Sequence, residues 1–147
     1  MNMKLSMKSR YGFRAILEIA AENKKKPVQI KTIAKRQDIS IKYLEQIVGT
    51  LKTADLVYST RGPKGGYLLT KPASEIKLSE VFLALEGSPI SVECLDHPQH
   101  RPQCKDCVTR VLWMEMQDAM LGVLESKTLR DIVDKLNKSS DNFNYQI

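Results

Sequence analysis

Three cysteines stand close together in the segment ECLDHPQHRPQCKDC: Cys94, Cys104 and Cys107, spaced C-x9-C-x2-C. The last two form a chelating pair, because thiolates three positions apart can reach one soft ion. Thiolates hold zinc and iron–sulfur clusters, which usually take four ligands. His97, His100, a carboxylate or a group from a second subunit are the candidates for the fourth. Other uses of these residues stay open. Cys94 can serve as a small core residue, the close pair as a metal-free dithiol switch, and a zinc as a mere staple of the loop.

A second chemistry lies upstream. Residues 40–53 have helical periodicity and offer Lys42, Tyr43, Glu45 and Gln46 near the N-terminal end. Glutamine bonds adenine bidentately and glutamate accepts from the cytosine amino group, so this helix is expected to read base edges in a major groove. Lys31, Lys35 and Arg36 on the preceding helix suit phosphates, which give affinity without sequence information. Arg61 and Lys64 in RGPKGG suit an adjacent minor groove.

Charge supports a polyanion partner. Residues 1–71 hold 15 Lys/Arg against 5 Asp/Glu, a net of +10, whereas residues 72–147 hold 8 against 12, a net of −4. A basic working face in the N-terminal half explains that split better than a uniformly solvated surface does. No apolar run approaches the ~20 residues needed to span a bilayer, and no signal-peptide core follows the N-terminus, so a cytoplasmic protein is expected. An odd cysteine count in a reducing compartment argues against a disulfide framework. No Ser/His/acid arrangement or open catalytic metal site points to an enzyme.

The elements that must position these residues follow from periods and breakers. Tyr11, Ala15, Ile16, Ile19 and Ala20 recur at helical spacing from Ser9 to about Glu22, and KKKP ends that helix. A short helix carries Ile30, Ile33 and Ala34. Asp38-Ile39 is a turn, and Ser40 caps a third helix with Ile41, Leu44, Ile47, Val48 and Leu51 inward. Leu56–Ser59 and Tyr67–Thr70 are expected as strands flanking the RGPKGG turn, whose glycines allow positive φ. This is the order of a winged helix-turn-helix: mainly α, with a small β-wing.

After Pro72 the character changes. A short apolar helix over Ser79–Glu86 ends at Gly87, and Ser88–Asp106 is a loop with three prolines. Leu112, Trp113, Met116, Met120, Leu121 and Leu124 form a wide apolar stripe over Val108–Glu125. Thr128 caps a last helix with Ile132, Val133 and Leu136, and the polar tail from Ser139 is expected to fray. Residues 1–72 are thus expected to form a DNA-binding region. Residues 73–147 are expected to carry the cysteine loop and the long helix, within one compact chain.

KLSMKSRYGFRAILEIA, SIKYLEQIVGTLKTADLV, STRGPKGGYLL and CVTRVLW together resemble the Rrf-two family of bacterial winged-helix transcription regulators, from about Met3 to Lys138. The resemblance implies a homodimer joined through the long helix that begins near Cys107, reading a pseudo-palindromic double-stranded operator. Glu45, Gln46 and Arg61 match the family's DNA-reading positions. It also implies an iron–sulfur cluster, [2Fe–2S] ahead of [4Fe–4S], with Cys94 as first ligand and Cys107 as last; zinc or no group are the alternatives. Some members use a histidine where Arg110 stands, or an acidic residue where Arg10 stands. A cluster-free repressor governed by a regulatory protein partner or by thiol oxidation is the second expectation.

Overall fold

The computed structural model describes residues 5–22, 26–87 and 108–144, the last four by backbone alone. Helix α1 (Met7–Ala21) starts two residues before the periodicity suggested, because the Ser6 hydroxyl accepts from the Ser9 amide at 3.1 Å and caps the first turn. Its buried stripe includes Gly12, Ala15, Ile16 and Ile19. Gly12 is required there: a Cβ would stand 2.5 Å from Leu85 Cδ1.

Helix α2 (Ile30–Gln37) stops at Asp38, which takes the left-handed conformation at φ 52. Ser40 then caps α3 (Ile41–Thr53), its hydroxyl accepting from the Tyr43 amide at 3.2 Å. Leu44, Ile47, Val48 and Leu51 are buried as the pattern requires, and truncating Leu44 to alanine would cost about 2–5 kcal/mol. Ile41 is a correction to the expected inward set: it is 42% exposed. It opens the helix one turn ahead of Leu44, at the edge of the packed stripe.

Strands β1 (Val57–Thr60) and β2 (Gly66–Leu69) pair antiparallel, Val57 opposite Leu69 and Thr60 opposite Gly66. Both lie one residue nearer the turn than expected, since Gly66 itself joins the ladder. Val28 bridges β2 through two backbone hydrogen bonds with Tyr67, of 3.0 and 2.9 Å. The helix-turn-helix and the wing are therefore one body.

A 3-10 turn (Ala73–Glu75) leads into α4 (Leu78–Glu86), which Gly87 ends at φ 78. Helices α5 (Val108–Glu125) and α6 (Leu129–Asn144) complete the chain. Their junction is pinned to the body: Leu78 N–H donates to Lys127 O at 2.9 Å and Leu129 N–H to Ile76 O at 3.0 Å. Glu125 accepts from Lys77 Nζ and Ser79 Oγ. One core joins both halves, with Ile16, Ile33 and Leu44 packed in the same cluster as Ile76, Val81 and Leu129.

On α5 the expected stripe is half-buried at Trp113, Met116, Met120, Leu121 and Leu124, while Leu112 is exposed, as are Val108, Val111, Met114 and Val123 beside it. One expectation changes in the C-terminal half. The polar tail does not end the last helix at Ser139. With no glycine or proline to break it, α6 continues to Asn144, and the hydroxyls of Ser139 and Ser140 donate to Lys135 O and Leu136 O.

Candidate nucleic-acid interface

Each turn of α3 brings the same stripe back to the surface. Lys42, Glu45, Gln46 and Gly49 are exposed on the side opposite the buried stripe, at the spacing that shares one helix face. Tyr43 falls toward α1 instead. Its ring meets Tyr11 edge-on, with centroids 6.2 Å apart, and is half-buried. Arg14 stands over the same Tyr11 ring at 5.9 Å. Tyr43 therefore anchors the N-terminal end of α3 as well as flanking its exposed face.

The wing is held beside α3 by three features that sequence patterns do not reveal. Lys52 Nζ donates to Ser59 Oγ at 3.0 Å, linking the end of α3 to β1. Gln29, just before α2, reaches Pro63 O in the wing turn at 3.4 Å. Gly65 and Gly66 permit close approach of backbone: a Cβ on Gly65 would lie 2.4 Å from Thr60 O, and one on Gly66 2.6 Å from Val28 O. Two of the turn glycines take a positive φ, Gly62 at 108 and Gly66 at 157. Arg61 and Lys64 are exposed on this braced turn.

On α2, Lys31 and Lys35 are exposed as expected. Arg36 is drawn to Glu18 of α1 at 2.9 Å, and Gln37 Nε2 donates to the other oxygen of the same carboxylate at 2.7 Å. Arg36 thus fixes α2 against α1, a role that residue type alone did not separate from phosphate binding. What these elements assemble is a polar helix face with two amide or carboxylate groups, bordered by lysines and flanked by a basic turn. That surface has the chemistry of a duplex-binding face.

Cys94, Cys104 and Cys107, with His97 and His100, lie outside the described residues. Both flanks of their segment are described: α4 ends at Gly87, and α5 begins at Val108. Glu86 ties the first flank to α1, its Oε1 accepting from the Ser6 amide at 2.7 Å. Burial would raise this carboxyl, but the hydrogen bonds from Ser6 and the charge of Lys8 outweigh it and hold it below its ordinary value. Among the described residues no group of three His, Cys, Asp or Glu side chains could hold a metal ion. None of the helices described is long and apolar enough to cross a membrane.

Comparison with known proteins agrees with this architecture. The Rrf2 family model, an iron-dependent transcriptional regulator, matches residues 5–135. Protein rrf2 of Nitratidesulfovibrio vulgaris is 42% identical over 131 residues, which cover 89% of this chain and 87% of that protein. The structure of T. potens IscR superposes with a TM-score of 0.76 at 33% identity, covering 92% of this chain and 90% of the other. CymR, the global cysteine regulator of B. subtilis, gives a TM-score of 0.71 at 35% identity, with 90% and 97% covered.

Proposed function

The chain belongs to the Rrf2 family of DNA-binding transcription regulators, and from that premise we propose that it is a homodimeric repressor whose operator affinity is set by an iron–sulfur cluster. The observation that carries the DNA side is the exposed face of α3 beside a wing braced by Lys52, Gln29 and Gly66. In this reading Glu45 accepts from a cytosine amino group and Gln46 bonds an adenine. Arg61 enters the minor groove. Lys31, Lys42 and Lys64 meet phosphates, and Tyr43 holds the end of α3 in place.

The dimer is joined through α5, on which Val108, Val111, Leu112, Met114 and Val123 stand exposed among the described residues. Residues 1–72 form the DNA-binding region and residues 73–147 the sensing and dimerisation region of a cytoplasmic protein. Cys94, Cys104 and Cys107 hold the cluster, preferentially [2Fe–2S], with His97 or His100 as candidate fourth ligand. Three thiolates are the donor chemistry that such a group takes. A bound cluster supplies sensitivity to iron, oxidants or nitric oxide. The chain contributes a segment whose two ends lie on α4 and α5, so that its packing bears on the direction of the dimer helix. Such a signal shifts operator affinity only by its differential affinity for the two conformations.

Anaerobic purification tests this directly. The expected product is coloured, contains iron and acid-labile sulfide, and loses both in the Cys94→Ser, Cys104→Ser and Cys107→Ser variants together with regulated operator binding. A colourless protein whose DNA binding ignores all three changes would overturn the cluster. Likeness to CymR favours a second reading, a cluster-free repressor of the same family under control of a partner protein or thiol oxidation. Operator binding indifferent to chelators and to iron supply, yet altered by a thiol oxidant or a protein partner, would select it.

A further inference from the structure

Ile41 is the one large aliphatic side chain exposed on α3. It is 42% exposed, while Leu44, Ile47, Val48 and Leu51 on the same helix are at most 1% exposed. One turn separates it from Glu45, so the two share a stripe along the edge of the polar face, with Lys42 beside them. We propose that Ile41 is a specificity-determining residue that reads a thymine methyl in the major groove. This rests on α3 being the recognition helix.

The argument is one of complementarity. Major-groove base edges present donors and acceptors everywhere except at the C5-methyl of thymine. Among the charged neighbours of Ile41, a hydrophobic protein partner would have to strip water from Lys42 and Glu45, which is costly. A methyl group in an otherwise polar groove asks for no such loss. Four residues of helix rise about 6 Å, and base pairs repeat about every 3.4 Å, so the thymine lies within about two base pairs of the one facing Glu45. The N-terminal position of Ile41, directly after the Ser40 cap, is where recognition helices make their base contacts.

The test uses the full chain, purified anaerobically, and an operator recovered by selection from random duplex DNA. Each thymine of a half-site is then replaced by deoxyuridine, which removes the methyl and nothing else. The wild-type protein is expected to lose affinity about fourfold at one thymine per half-site, the value of one apolar carbon returned to water. Ile41→Ser should bind the thymine operator more weakly and ignore the replacement; Ile41→Val should keep most of the discrimination. Should Ile41→Ser fail to match the wild type in thermal unfolding, Ile41→Ala is measured in its place, with the same loss of discrimination expected. The proposal fails if no single methyl matters to the wild type, or if the folded serine or alanine variant responds to deoxyuridine as the wild type does. A selection that enriches no sequence would instead remove the recognition-helix reading and this inference with it.

Discussion

Side chains on α3 divide by what holds them. Leu44 and Ile47 are fixed by the core, Tyr43 by the Tyr11 ring, and Lys52 by Ser59, whereas Glu45 and Gln46 are exposed to solvent. That contrast gives the first prediction. Gln46→Ala and Arg61→Ala should weaken operator binding more than random-sequence binding, by about 1–3 kcal/mol for each bidentate base pairing removed. Competition titrations with both duplexes read the difference; equal losses would reduce both residues to phosphate or scaffold roles. A second prediction concerns the wing. Gly66→Val would drive a Cβ into the Val28 carbonyl, so operator affinity should fall although no DNA-facing side chain has changed. At this scale, residue type and spacing made Lys31, Lys42, Glu45, Gln46, Arg61 and Lys64 legible as exposed groups. They could not separate Arg36, which Glu18 captures, from a phosphate ligand, nor place Ile41 outside the core. Both outcomes depend on partners distant in sequence.

Elements were legible where a period and a breaker coincide. Asp38 ends α2, Ser40 starts α3 and Gly87 ends α4, each at the residue whose chemistry marks it. The stripe on α5 was legible as apolar, but a face that meets a second chain, as proposed for it, has the same composition as one that meets its own core. Placing a charge there should therefore separate subunits rather than unfold them. Val111→Glu is expected to sediment as a monomer with its unfolding temperature little changed at low concentration; a dimer that persists would refute the proposed interface. The start of α6 yields a pH prediction. The Thr128 hydroxyl accepts from the Asp131 amide at 3.3 Å, while Asp131 Oδ2 accepts from the Thr128 amide at 2.8 Å. The Thr128 backbone amide, and then its hydroxyl, hold the Asp131 carboxyl below its ordinary value of 3.8. A carboxyl lowered on folding stabilises fully above its unfolded value and ceases to do so as pH falls through the folded one. Thr128→Ala should thus lower the urea midpoint at neutral pH and flatten its acid dependence below about pH 4.

At the scale of the whole molecule, charge and core are organised differently. The core is shared by both halves, yet the charge is not: the net is +10 up to Lys71 and −4 beyond it. A chain with this division should meet duplex DNA basic half first, which orients encounter before any base is read. Such a chain should show an affinity that falls linearly with salt on logarithmic axes, because each neutralised phosphate releases counterions. Lys64 is exposed on the wing and, unlike Lys71 and Lys77, is joined to no carboxylate among the described residues. Lys64→Gln should therefore lower the slope by about 0.9 for each phosphate no longer neutralised, or roughly 1.8 for a dimer, to the same extent on operator and random DNA. A slope unchanged on both would place Lys64 away from the backbone. A change confined to the operator would make it a reader of sequence rather than of charge.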